Sequence, residues 1–341
     1  MNLRWRIFLA TAAIVWVPWL VGMAWTDGWS LFEDNAFMSV TMVVGSFIAG
    51  ATSEGGGAVA FPVMTLGFGI PPHVARDFSL MIQSVGMVAA GASILLTGIP
   101  VVRSSLLPTS VGGALGVVLG LELLAPIVPP PFAKMLFTSV WLAFAVALWL
   151  INRSDRPTLG DIEAPSPTLR SVLFLTGIVG GMVTSITGSG LDILTFSLLV
   201  LLCRVSEQVA TPTSVVLMGI NALVGAAWKG TLGAGLAPTA WDYWWVCVPV
   251  VVLGAPLGAQ VIRHCSRQVI ARLLMASILV QFVAALLIIP QSPALLGFST
   301  AVFTTGLAGF LWMARRGRGA LDQAIGAGPT DALRLPQTQG R

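Results

Sequence analysis

Hydrophobic runs long enough to cross a lipid bilayer dominate this chain of 341 residues. A membrane-spanning helix needs about 20 consecutive apolar residues, and eight segments meet this requirement as single helices. They are Ile7–Trp25, Val74–Leu96, Ser104–Ala125, Phe132–Ile151, Val209–Trp228, Trp241–Ile262, Val269–Ile289 and Pro293–Ala314. Only 9% of the residues are charged, whereas a soluble domain carries roughly a quarter. The sequence therefore predicts an all-α, polytopic transmembrane helical bundle and excludes a soluble fold.

Two further apolar stretches, Phe37–Ile70 and Leu169–Cys203, are too long for one straight crossing at about 1.5 Å per residue. Glycines interrupt both near the middle, in Glu54-Gly55-Gly56-Gly57 and in Thr187-Gly188-Ser189-Gly190. Non-helical backbone at membrane depth is tolerated only against protein or a water-filled cavity. Gly-interrupted segments at matching places in two halves are typical of the substrate site of a transporter.

The two broken stretches begin two similar halves. Both His73–Ser79 and Gln208–Ser214 contain Val-Ala and a serine four residues after that alanine, in register once a two-residue gap is allowed. Three apolar spans follow each time, which predicts two repeats. The predicted units are an extra N-terminal helix (1–36), a first repeat (37–151), a linker loop (152–168), a second repeat (169–290), a C-terminal helix (291–314) and a disordered cytoplasmic tail (315–341).

Basic residues orient a membrane protein, because cytoplasmic loops carry an excess of Lys and Arg. Arg4 and Arg6 at the start, and Arg315 and Arg316 near the end, predict that both termini are cytoplasmic. The run after Arg6 also has features of a cleaved signal peptide. It is long for such a peptide, so we expect an uncleaved first helix.

Two arrangements of the broken stretches are compatible with these ends. If both cross the bilayer fully, four arginines lie outside: Arg103, Arg153, Arg156 and Arg170. If each is a re-entrant hairpin, those four lie inside and three basic residues lie chiefly outside: Arg76, Lys134 and Lys229. The hairpin arrangement violates the rule less, and it makes the two halves inverted relative to each other.

A helix break leaves free N–H groups and the positive end of a helix dipole facing the cavity. Two return helices, starting near Ala58 and Leu191, would therefore form an anion site without a buried arginine. The predicted substrate-binding residues surround the breaks or follow them: Ser53, Gly55, Gly56, Gly57, Ser79, Gln83, Ser185, Thr187, Gly188, Ser189, Gly190 and Ser214. The hydroxyls could instead cap exposed backbone, and glycines could pack helices, which suits Gly112, Gly113, Gly116 and Gly120.

Two carboxylates, Glu54 and Asp192, adjoin the glycine turns. An ionisable group at such depth is costly and is by default a functional candidate. A carboxyl group that binds and releases a proton there suits the coupling of anion movement to protons. The alternative is that either carboxylate caps the N-terminus of a return helix.

The pattern of a Gly-rich break, an apolar run and an Ala-x-x-x-Ser segment resembles the TauE/SafE sulfite exporter family. In the first half it comprises Gly55-Gly56-Gly57, Pro62, and Ala75 with Ser79. In the second half it comprises Gly188-Ser189-Gly190 and Ala210-Thr211-Pro212-Thr213-Ser214. The resemblance covers roughly residues 37–290. It implies a permease that moves sulfite, organosulfonates or related small anions, often outward.

The chain departs from the family pattern at three positions. Ser189 replaces a glycine, Thr195 stands where Pro62 stands in the first half, and Glu54 stands where the family usually has a small residue. These departures bear on the particular substrate rather than on the family.

A permease for another small carboxylate or sulfur-containing anion is one alternative, and two other functions remain open on the sequence. A Gly-rich pore loop could belong to an anion channel, and Gly188-Ser189-Gly190 is similar to the serine loop of an intramembrane protease, for which His73 and His264 are the available bases. We expect a small anionic substrate, membrane lipid and a second copy of the chain as partners, in a cell membrane (the inner membrane in a bacterium). No nucleic acid, cofactor, metal or catalytic residue is predicted.

Overall fold

A computed structural model describes residues 3–152, 157–162 and 165–326 of the protein. Within these ranges the chain forms α-helices and no β-strand, as predicted. The helices are α1 (Leu3–Thr26), α2 (Leu31–Ala51), α3 (Gly55–Pro62), α4 (Pro72–Leu96), α5 (Arg103–Leu123), α6 (Pro130–Ile151), α7 (Pro167–Thr187), α8 (Leu191–Ser197), α9 (Glu207–Thr231), α10 (Pro238–Ile262), α11 (Arg267–Ile288) and α12 (Pro293–Gly326). Five of them begin at a proline, whose fixed φ suits the first helical turn and whose missing N–H costs nothing there.

Ten helices of the described part are long and apolar enough to cross a membrane. They are the eight predicted single spans together with α2 and α7. The protein is therefore a multi-pass membrane protein. The last helix runs to Gly326, beyond its predicted end at Ala314, so the first part of the predicted tail is helical. The rest of that tail, 327–341, lies outside the described residues, as do Arg153 and Arg156 of the linker.

The first broken stretch is a hairpin, which we call hairpin one (31–67). Helix α2 ends at Ala51, and the chain turns through three residues before α3 begins at Gly55. Helix α3 continues into a π-helical turn, Val63–Gly67. The rings of Phe37 and Phe68 are 4.2 Å apart, centroid to centroid, so the stretch ends where it began. We call this side of the bundle end one.

The second broken stretch forms hairpin two (167–202), from α7, α8 and the π-helical turn Leu198–Leu202. The linker before α7 pairs with the segment after this turn, because Leu159 N donates to Arg204 O at 2.8 Å and Ser206 N donates to Leu159 O at 2.9 Å. Both ends of hairpin two therefore lie together, at a side that we call end two.

The two hairpins enter the bundle from opposite ends. Helix α4 leaves the mouth of hairpin one and crosses to the loop that precedes α5. There Ser104 Oγ donates to Ile162 O of the linker at 2.7 Å, and Val102 N donates to Thr213 Oγ1 in the first part of α9 at 2.9 Å. Of the two arrangements compatible with the basic residues, the structure has the re-entrant one.

Matching elements of the two halves lie at a constant offset in the sequence. Helix α4 begins at Pro72 and α9 at Glu207, 135 positions later, and both have 25 residues. The same offset separates the two π-helical turns. It also aligns Gly55 with Gly190 and Ser79 with Ser214. This register contains no two-residue gap, so the predicted alignment of the halves was wrong in that detail.

Glycines let α5 and α7 approach until their backbones touch. A Cβ built at Gly112 would lie less than 3.0 Å from the carbonyl oxygen of Phe174, and one at Gly116 would lie equally close to that of Ile178. Two glycines of α7 meet the backbone of α5 in the same way. Small residues at helix crossings let membrane helices pack by van der Waals contact, and these contacts agree with the packing role predicted for the glycines of α5.

Helices α2 and α10 make the corresponding contact. A Cβ at Gly50 or at Gly258 would lie less than 3.0 Å from the carbonyl oxygens of Ala255 and Phe47, respectively. The first arm of each hairpin thus packs against a helix of the other half: α2 on α10 and α7 on α5. Each hairpin is held in place by the half that does not contain it.

We expect Gly116→Ala to lower the stability of the folded protein, by about 1–3 kcal/mol for an overpacked contact. The added methyl group would collide with the backbone of α7, which cannot move away as a flexible side chain could. Thermal unfolding in detergent measures the effect.

Gly309→Ala is the matched control, because a Cβ at this exposed position of α12 meets nothing within 4 Å. Equal melting temperatures for the two variants would contradict the close packing of α5 on α7.

Candidate functional site

The turns at the tips of the two hairpins touch each other inside the bundle. Ser189 Oγ, in tip two, lies 2.8 Å from the backbone oxygen of Glu54 in tip one. A Cβ at Gly55 would lie less than 3.0 Å from Asp192 Oδ2 and from Gln83 Oε1. All of these residues are buried. Because the hairpins enter from opposite ends, the contact lies within the interior of the bundle.

Glycine is required at one position of each tip. Gly55 has φ +70° and Gly188 has φ +81°, in the left-handed region that side chains with a Cβ rarely occupy. At Gly188 a Cβ would also collide with the Cβ of Ser79. Gln83 Nε2 donates to Gly188 O at 2.6 Å and to Ser79 O at 2.9 Å. Helix α4 therefore holds tip two by its backbone.

The return helices begin at Gly55 and Leu191. The second start is as predicted, whereas the first lies three residues before the predicted Ala58. Gly55, Gly56 and Gly57 form the first turn of α3, and the break itself is the preceding turn, in which Thr52 is extended. Without side chains, Gly55 and Gly56 let Gln83 and the tip of the other hairpin approach the helix N-terminus.

Several polar atoms around the tips are buried without a hydrogen-bond partner. They are Ser53 Oγ in tip one, Ser79 Oγ and Gln83 Oε1 on α4, Thr195 Oγ1 on α8, and Thr211 Oγ1 with both amide atoms of Asn221 on α9. A buried polar atom without a partner costs about 1–3 kcal/mol, and native proteins have few of them. Such a group of unpartnered atoms fits a site whose polar ligand completes their hydrogen bonds.

A small cavity adjoins tip one. Its volume is about 10 Å³, and its lining includes Ser46, Gly56, Gln83 and Val251. About one water molecule fits a cavity of this size. Ser46 Oγ and Gln83 Oε1, both without a partner, are on its wall. This cavity beside tip one therefore holds at most about one water molecule.

Glu54 is fully buried and is bound by α11. Ser277 Oγ donates to Glu54 Oε2 at 2.6 Å. Gln281 Nε2 lies 3.4 Å and 3.5 Å from the two carboxylate oxygens and donates to Ser277 Oγ at 3.1 Å. Glu54 occupies the N-cap position of α3, but its side chain makes no cap hydrogen bond. Glu54 therefore does not cap α3 by a side-chain hydrogen bond.

Asp192 has different partners. Its Oδ2 lies 2.8 Å from Ser189 Oγ, and its Oδ1 accepts from the backbone N–H of Ile193 at 2.9 Å. This carboxylate does bind a free N–H group in the first turn of α8, as the capping alternative expects, and its role in proton coupling stays a prediction.

The remaining predicted residues fall into two groups. Thr187 lies at the tip, where its Oγ1 donates to Ser189 O at 2.5 Å, and Gly190 packs against Val183. Ser185 donates to Met182 O of its own helix and is turned towards α5. Ser214 donates to Thr211 O of its own helix. Binding roles for all of these residues stay predictions.

Ser277 and Gln281, the partners of Glu54, were not predicted from the sequence as site residues. They stand four residues apart in the apolar helix α11, and residues at this spacing share one face of a helix. A pair of polar side chains on one face of a membrane helix could have marked them as partners of a buried group. Nothing in the local sequence, however, indicated that Glu54 was that group.

Residues 37–287 match the family described as Sulfite exporter TauE/SafE. The match spans both hairpins and helices α2 to α11. The chain belongs to the TauE/SafE sulfite exporter family. Helices α1 and α12 lie outside the matched range, as expected. Neither a curated protein nor a solved structure matches the chain.

The TauE/SafE family is a family of transporters, not of enzymes. The tips where Ser189 meets Glu54 and Asp192 lie well inside the matched range. In this TauE/SafE chain two of the three departures from the family pattern, Glu54 and Ser189, are residues through which the tips touch.

We expect Ser277→Ala to lower the melting temperature of the purified protein. The substitution removes the closest donor to a buried carboxylate, and an unsatisfied buried group of this kind costs about 1–3 kcal/mol, more if it is charged. The matched control is Ser299→Ala on α12, whose hydroxyl donates only to Leu295 O of its own helix. A destabilisation equal to that of the control would show that Ser277 does not support Glu54.

Proposed function

We propose that this protein is a secondary transporter that moves a small sulfur-containing anion, such as sulfite or an organosulfonate, outward across the membrane. The observation that carries the proposal is the contact between two re-entrant tips that enter from opposite ends, among buried polar atoms without partners. Broken helices that meet at the interface of two halves form the substrate sites of many secondary transporters. Membership of the TauE/SafE family supports the class of substrate.

The chemistry around the tips suits an oxyanion. The hydroxyls of Ser53 and Ser79 are donors without a partner, and the free N–H groups of α3 begin at Gly55. Donors of this kind bind a small anion without a buried cation. Movement of one half against the other would open the tips to either end in turn.

The contact of Ser189 supports coupling to protons. Its single hydroxyl proton faces two acceptors, Glu54 O and Asp192 Oδ2, each at 2.8 Å. If Asp192 is ionised, the hydroxyl donates to the carboxylate and the bond to tip one is lost. If Asp192 is protonated, it donates to Ser189, which is then free to donate to Glu54 O. Protonation of Asp192 would thus link the two tips.

The two alternatives have less support. A channel needs an open pore, whereas the two tips are in contact with each other in the interior of the bundle. A serine protease needs a base beside Ser189. His73 is exposed in the first turn of α4, and His264 accepts a hydrogen bond from Arg263 Nε in the loop after α10.

Transport of radiolabelled sulfite into proteoliposomes tests the proposal, with sulfate, thiosulfate and a small sulfonate as competitors, with and without a pH gradient. We expect saturable flux that a pH gradient stimulates. In Asp192→Asn the side chain donates to Ser189 at every pH, and in Glu54→Gln the second buried carboxyl is lost, so we expect the stimulation to disappear in both variants.

Glu33→Gln, at an exposed carboxylate of α2, is the control and should leave the stimulation intact. If Asp192→Asn and Glu54→Gln keep it as well, the two carboxylates have a structural role only. If the folded wild-type protein moves none of these anions, the sulfur-anion assignment is wrong.

We also propose that end two faces the cytoplasm, with both termini. Among the basic residues whose side chains the structure describes, ten lie towards this end: Arg6, Arg103, Arg170, Arg204, Arg263, Arg267, Arg272, Arg315, Arg316 and Arg318. Towards end one there are three: Arg76, Lys134 and Lys229. This asymmetry supports the orientation, since cytoplasmic loops are rich in Arg and Lys, and in a bacterium it corresponds to the inner membrane.

Cysteine labelling tests the orientation in a variant without the three native cysteines. Ser292→Cys lies in the loop at end one and Thr168→Cys at the start of α7 at end two, and both positions are exposed. We expect a membrane-impermeant maleimide to label Ser292→Cys in intact cells and Thr168→Cys only after permeabilisation. The reverse pattern would invert the orientation.

A further inference from the structure

A second cavity opens at end one and reaches hairpin two. Its volume is about 380 Å³, within the range of small-molecule sites. Pro72, His73 and Arg76 of α4 line one wall, Lys229 of α9 lies opposite, and Ile186 of α7 stands two residues before Gly188 of tip two. No carboxylate is among the residues that line it. We call this cavity the vestibule.

Two cations of the vestibule share one buried carboxylate. Arg76 Nε and Nη2 donate to Asp77 Oδ1 at 3.1 Å each, and Lys229 Nζ donates to Asp77 Oδ2. Asp77 Oδ2 also accepts from the backbone N–H of Ala237 at 3.1 Å. Arg76 and Asp77 are buried, and the Lys229 side chain is only 12% exposed. Two positive charges and one negative charge leave an excess positive charge at the vestibule wall.

The neighbouring charged groups have other partners and do not line the vestibule. Glu122 of α5 accepts from Trp228 Nε1 at 2.8 Å. The third basic residue towards end one in the described part, Lys134, donates to Thr65 O of hairpin one at 3.0 Å. Of the three basic residues that lie towards end one in the described part, Arg76 and Lys229 donate to Asp77 rather than to a backbone carbonyl oxygen. Both of them line the vestibule.

The vestibule leads to the tips. Arg76 and Ser79 lie one helical turn apart on α4, and Ser79 Oγ is buried without a partner. A Cβ at Gly188 would meet the side chain of Ser79 and would lie 3.2 Å from the backbone oxygen of Arg76. One turn of α4 thus separates the cations from the unpartnered polar atoms at tip two.

We propose that the vestibule is a second anion site, in which Lys229 and Arg76 bind the transported oxyanion at end one before or after it occupies the tips. The inference rests on the proposed function for the identity of the anion. Binding exchanges contacts with Asp77 for contacts with the oxyanion, and Asp77 keeps the backbone N–H of Ala237 throughout. Arginine and lysine paired in this way bind sulfite-like oxyanions by charge-assisted hydrogen bonds.

Lys229→Gln tests this site, because Asp77 retains Arg76 and the Ala237 N–H, so its charge stays compensated. Sulfite flux is measured against sulfite concentration in right-side-out and in inside-out vesicles. We expect the half-saturating concentration to rise by about tenfold or more, as for a lost hydrogen bond to a charged group, only for sulfite presented at end one. Lys229→Arg should restore it, and Arg170→Gln, at an exposed arginine of end two, should change nothing at end one.

Equilibrium binding of radiolabelled sulfite to the purified protein separates this site from the transport function. If wild-type vesicles move no sulfite, the transport proposal has failed and binding alone decides: weaker binding in Lys229→Gln than in Arg170→Gln supports the vestibule. Absence of sulfite binding to the wild-type protein overturns it. The vestibule proposal is also overturned if Lys229→Gln binds and transports sulfite as the wild type does. The same holds if its half-saturating concentration rises equally for sulfite presented at either end.

Discussion

The absence of water in the hydrocarbon core of a bilayer governs the interior of this protein. Every backbone group there must find a partner within the protein, and the chain interrupts two helices at that depth. The turns are tolerated because each is surrounded by protein: Gln83 binds the carbonyl oxygen of Gly188, and Ser189 reaches that of Glu54. Tip two thus supplies a partner for a backbone oxygen of tip one, and this contact places the tips side by side. The position of the candidate site follows from it.

Because the first arm of each hairpin packs against a helix of the opposite half, the geometry of the site depends on both halves of the chain. The glycine contacts of α2 with α10 and of α7 with α5 fix each first arm by its backbone, whereas α3 and α8 end in π-helical turns at matched positions. π-Helical turns are rare in proteins overall, but those that do occur are often close to functional sites. Each tip is therefore fixed on the side of its first arm, α2 or α7, and is less regularly supported on the side of its return arm. This arrangement suits a tip that must be exposed to end one and end two in turn.

Much of the architecture could be predicted from the sequence because its signals are local. Length and apolarity marked the spans, and the glycines at 55–57 and 188–190 marked the breaks. The start of α3 was misplaced because a run of glycines carries no signal for where a helix begins. The partners of Glu54 escaped prediction because Ser277 and Gln281 lie more than 200 positions away. The shared carboxylate of Arg76 and Lys229 likewise depends on a long-range contact.

The exchange of partners between halves also sets an order of assembly during synthesis. Helix α7 emerges when its partner α5 is already in the membrane, but α2 precedes its partner α10 by roughly 200 residues. At about 5–20 residues per second, the glycine face of α2 waits for tens of seconds before Gly50 can meet Ala255. During that interval a buried carboxylate, Glu54, also lacks the helix that carries its donors. The first half of the chain therefore completes its packing only after the second half has been synthesised.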